Sequence, residues 1–67
     1  MINVSILRGK IVERNMTQEV VADEMGINRS TFYRKMKEYG KQFTVEEVQK
    51  LAKILSLTSD DVMKIFL

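Results

Sequence analysis

Five times along this chain, a residue able to cap a helix stands before a helix-compatible stretch: Asn3, Thr17, Asn28, Thr44 and Thr58. Each offers a side-chain oxygen to the unpaired amides of a helical first turn. Proline is absent, and no alternating apolar pattern lasts long enough for a strand. Helix is therefore the default, and the caps divide it into five short pieces.

The first piece reads as about Val4 to Arg14, with Leu7 and Ile11 turned inward. Gly9 inside it costs roughly 1 kcal/mol against Ala, and close approach of another backbone is one reason to keep it. Thr17 opens a helix over 18–25 with the stripe Val21, Ala22 and Met25. Met25-Gly26-Ile27-Asn28 then reads as a turn, with Gly26 supplying a left-handed backbone. Asn28 caps a third helix from 29 to about 37. "EYGKQFT" is a loop in which Phe43 is the residue expected to be buried. "TVEE" at 44–47 is a capping box opening a fourth helix, about 45–56. Val45, Val48, Leu51, Ala52 and Leu55 line one face of it, and Ile54 falls on its polar side with Glu47 and Lys50. "TSDD" at 58–61 opens a last helix ending in Ile65, Phe66 and Leu67, its acids placed where the helix dipole favours them.

At 67 residues this is one domain, spanning 1–67. Cys and His are both absent, which removes thiolate chemistry, the commonest general base and the commonest metal ligand. The carboxylates sit at helix starts, where capping explains them, so the chain reads as a non-enzyme with no cofactor and no metal. No apolar run approaches the ~18 residues of a membrane span, and no signal peptide is visible. A cytoplasmic protein with no membrane role and no small-molecule ligand is expected. The net charge is only +2, but its distribution is uneven. Segment 28–41 holds five basic residues and one acid, whereas 17–24 holds three acids and no base. A concentrated positive edge suits a polyanion.

Two short helices joined by a glycine-containing turn form a helix-turn-helix. Ala22 is small where the helices cross, and Ile27 and Phe32 fill the wedge between them. On Thr17-Gln18, Val21-Ala22, Met25-Gly26-Ile27 and Arg29-Ser30-Thr31-Phe32 the chain resembles the Cro/repressor family of phage and bacterial regulators, the XRE type. It looks especially like short phage-encoded members that read T-x-E-x-x-K-L-A-x-x-L after the motif; here those letters lie near Thr44, Glu46, Leu51 and Ala52, with a drift in spacing. The resemblance implies an all-α, five-helix, lambda-repressor-like DNA-binding domain. Lys35 departs from the pattern, standing where the family is usually apolar, and Met36 takes the core role one step on.

At about 100° per residue the third helix divides into two sides. Arg29, Ser30, Tyr33, Arg34 and Lys37 share a polar arc, while Phe32 and Met36, four apart, make the buried contact. A major groove admits such a helix, and arginine can donate two hydrogen bonds to guanine O6 and N7. The resemblance places base contacts at Arg29, Ser30 and Arg34, and Tyr33 can add a thymine methyl or a phosphate. Gln18 matches a family residue that anchors a phosphate at a helix N-terminus. Asn28, Thr31, Lys35, Lys37 and Lys41 are candidate phosphate contacts, as is Thr44 with its neighbouring amides.

Ile54, Met63, Phe66 and Leu67 exceed what the inward stripes require and could form a self-complementary patch. A two-fold homodimer would match a palindromic operator. The expected function is sequence-specific recognition of double-stranded DNA, in a phage or prophage Cro-like or small-repressor role. The alternative is a protein-interaction module on the same fold, an antirepressor or antitoxin-like partner.

Overall fold

The computed structural model describes residues 2–37 and 43–67, and among these the architecture is all-α. The helices are α1 (Val4–Glu13), α2 (Gln18–Met25), α3 (Arg29–Lys37), α4 (Val45–Ile54) and α5 (Ser59–Phe66). Each begins at its expected cap. Asn3 accepts from the Ile6 amide, Thr17 from Val20, Thr44 from Glu47 and Thr58 from Asp61. At α3 the Asn28 Oδ1 accepts from the Ser30 amide at 2.8 Å. Thr44 with Glu47 and Thr58 with Asp61 close full capping boxes, each acid also accepting from the threonine amide.

Three helices end the same way. Asn15, Gly26 and Ser56 adopt left-handed backbones, with φ of 57°, 76° and 51°. The amide after each bonds back five residues: Met16 to Ile11, Ile27 to Ala22 and Leu57 to Ala52. This termination satisfies carbonyls that a helix end would leave unpaired. Gly26 reaches the left-handed region without strain, whereas Asn15 and Ser56 carry a Cβ into it.

α2 packs on both α3 and α4, and α1 packs on α5. The core runs through Val4, Leu7, Ile11, Val21, Ala22, Met25, Phe32, Met36, Leu51, Leu55 and Ile65. Phe32 is fully buried and meets the half-buried Phe43 ring at 5.9 Å. Long cationic side chains tie the elements at helix ends. Arg14 Nε donates to the Leu55 carbonyl at 2.7 Å, closing the end of α4, and Lys50 Nζ donates to the Met25 carbonyl at the end of α2. Cations there match the negative pole of a helix. The Asn3 amide donates to the Ile65 carbonyl at 2.7 Å, fastening the chain start to α5.

Three expectations are corrected here. Val45 is 76% exposed, not part of the inward face. It is the first residue of α4, and at that end the core is closed by Phe43 against Phe32. Ile54 is partly buried against the core. The side of α4 that reads as polar faces the helix-turn-helix: from it Glu47 meets Lys35 and Lys50 meets the end of α2. Gly9 has no close neighbour, since a Cβ there would meet nothing within 4 Å. No backbone approach explains it.

Candidate nucleic-acid interface

The sequence of α3 sorts its side chains onto two sides because their chemistry differs. Phe32 and Met36 are buried, which fixes the rotation of the helix on the domain. Arg29, Ser30, Tyr33, Arg34 and Lys37 consequently all emerge exposed, and Thr31 is half-buried beside the core side. α3 carries no acid in its first turn and three bases, Arg34, Lys35 and Lys37, in its last. Its nine residues make about two and a half turns, ~13 Å, and a helix about 10–12 Å across with its side chains is what a major groove about 12 Å wide admits.

A shallow recess joins this arc to two other elements. Arg8 of α1 and Gln18 of α2 line it together with Ser30, Tyr33, Arg34, Met36 and Lys37. Among the described residues that line it, three are bases and none is an acid, and they share the surface with the amide of Gln18 at a helix N-terminus. Arg8 belongs to that surface only through the packing of α1, and nothing in its local sequence singles it out.

Hydrogen bonds decide which polar atoms remain available. Ser30 donates its hydroxyl to Asn28 Oδ1 at 2.5 Å, and its amide donates to the same oxygen. Ser30 Oγ is therefore left as an acceptor, and Asn28 keeps its Nδ2 as a donor. Thr44 donates its amide to Glu47 Oε1 at 2.9 Å while its hydroxyl accepts from the Glu47 amide. Its own amide is occupied, which leaves the hydroxyl hydrogen.

Lys35, expected at a phosphate, is engaged within the fold. Its Nζ donates to both oxygens of Glu47, at 2.6 and 2.8 Å, and lies 5.7 Å from the centre of the Phe43 ring. With the side chains only 11% and 15% exposed, the pair bridges α3 to α4. Burial alone would raise the Glu47 pKa. Hydrogen bonds from Lys35 and the Thr44 amide outweigh it and hold the carboxylate below its ordinary value. A lysine is thus accommodated at this largely enclosed place because a capping-box acid stands opposite. Lys41 lies outside the described residues.

Arg29 meets a partner that its own segment does not reveal. Its Nε donates to Asp23 Oδ1 at 3.1 Å and its Nη2 to Oδ2 at 2.6 Å, both side chains more than half exposed. The hydrogen bond to Arg29 lowers the Asp23 pKa, and the same contact raises that of Arg29. The sequence carried one sign of this pair, an acidic segment directly before a basic one.

A family model described as the Cro/C1-type HTH DNA-binding domain matches residues 7–66. Comparisons with curated proteins and with solved structures gave no match.

Proposed function

The chain belongs to the Cro/C1-type helix-turn-helix DNA-binding family, and from that premise we propose that it is a sequence-specific transcriptional regulator reading the major groove with α3. The observation that carries this reading is the shared surface of Arg8, Gln18, Ser30, Tyr33, Arg34 and Lys37, which among the described residues is lined by three bases and by no carboxylate. Arg29, Ser30, Tyr33 and Arg34 are assigned to base edges, because the start and middle of a recognition helix lie deepest in the groove. Gln18, Asn28, Thr31, Lys37, Lys41 and Thr44 are assigned to phosphates, with Arg8 added and Lys35 removed. The role is that of a phage or prophage Cro-like protein or small repressor, acting in the cytoplasm by occupying a promoter.

The operator is proposed to be palindromic and bound by a homodimer, with half-sites about one helical turn, ~34 Å, apart. Met63, 57% exposed, and Leu67, 88% exposed, support a contact through α5. Ile54 and Phe66 pack partly against the core and contribute their outer edges at most.

An electrophoretic shift with random-sequence duplex at low salt tests the reading, since non-specific phosphate contacts alone give measurable binding there. A salt-sensitive shift is expected. No shift at micromolar protein would instead favour a protein partner, in an antirepressor or antitoxin-like role.

A further inference from the structure

Asp23 is poorly explained as a stabilising residue. It lies in the last turns of α2, where a carboxylate opposes the helix dipole. Exposed ion pairs contribute little to stability. A negative charge beside the reading helix also repels phosphate. What the pair does supply is orientation. Arg29 is the first residue of α3, the end of the helix that enters deepest, and a free arginine there would sample many rotamers.

The geometry of the contact is specific. A guanidinium carries five N–H groups in a fixed plane. Asp23 takes the Nε hydrogen and one Nη2 hydrogen, which together form one edge of that plane. The neighbouring edge, made by the second Nη2 hydrogen and an Nη1 hydrogen, has no hydrogen-bond partner among the described residues. That edge has the parallel pair of donors that guanine O6 and N7 accept. Binding DNA therefore need not break the pair.

Resting on the assignment of α3 as the recognition helix, we propose that Asp23 is a specificity-determining positioning residue that holds Arg29 by one edge so that the other reads a guanine. It acts through Arg29 and touches no base itself. Its negative charge weakens binding to arbitrary sequence and so widens the gap between cognate and random DNA.

Selection of bound sequences from a randomised duplex pool tests this, run in parallel for wild type, Asp23→Ala and Asp23→Asn, with thermal unfolding recorded for each. Wild type should enrich guanine at one position of each half-site. In Asp23→Ala that preference should fall about tenfold, within the discrimination a bidentate contact gives, while other positions keep theirs and affinity for unselected duplex rises. Asp23→Asn retains one acceptor and should fall between. Arg29→Lys should lose the same position, and adding Asp23→Ala to it should change that preference no further. Unchanged preferences in Asp23→Ala would overturn the proposal. So would uniform weakening at all positions in step with a lower melting temperature, the behaviour of a merely structural pair. Enrichment without that guanine would overturn it alone, whereas a wild type that enriches no sequence would remove the recognition reading beneath it.

Discussion

Lys35 brings a full charge into a largely enclosed place between α3 and α4, and Glu47 makes that tolerable. Removing one member of such a pair leaves the other poorly solvated, which is the costly change. Glu47→Ala also loses half of a capping box. It should therefore destabilise the domain by about 2–3 kcal/mol in urea unfolding. The double variant Lys35→Leu with Glu47→Gln keeps the box and fills the site with apolar atoms, so it should stay within about 1 kcal/mol of wild type. At the interface the two kinds of contact should separate. Arg34→Ala should cost about 1–3 kcal/mol of DNA affinity and relax the preference at one base pair. Arg8→Ala should weaken all duplexes about equally and reduce the salt slope by about 1. Both are read by titration at several salt concentrations, and wild-type binding in both would mean that the assigned face is wrong.

The helices themselves are set by signals within four residues of each boundary, which is why their starts could be read from the sequence. A cap at Thr44 or Thr58 needs only its own first turn. The outward positions of Val45 and the inward lean of Ile54 were not legible in the same way. They depend on which side of α4 meets α2 and α3, and that is a property of packing between distant segments. Two positions remain locally unfavourable. Gly9 lies in the middle of α1 with open space around it, so Gly9→Ala should stabilise by about 0.4–1 kcal/mol. Ser56 holds a left-handed backbone at φ 51°, so Ser56→Gly should stabilise by about 0.5–1 kcal/mol. Each should raise the melting temperature by a few degrees, since about 1 kcal/mol shifts a domain this size by ~4–8 °C.

Among the described residues, three carboxylates are held below their ordinary values. Glu47 is lowered from 4.5, and Asp23 and Asp61 from 3.8; for Asp61 the leading cause is the hydrogen bond from the Thr58 amide. Their stabilisation is complete above the ordinary values and is lost as pH falls through the lowered folded ones. With no histidine in the chain, the urea midpoint should be flat from about pH 8 to 5.5 and drop below about 4.5. The candidate site was legible in part for the same reason as the fold. The arc of α3 follows from helical periodicity and one buried pair, Phe32 and Met36. Arg8 reaches it from α1, and the bonds of Arg29 to Asp23 and of Lys35 to Glu47 cross element boundaries, so beyond the acidic segment that precedes the basic one no local pattern announces them. The central claim is that α3 with the start of α2 meets the DNA. The direct measurement is an amide NMR titration with a duplex chosen by selection. Shifts should concentrate at Gln18, Asn28 to Lys37 and Arg8; shifts confined to α4 and α5, with α3 unmoved, would contradict the account.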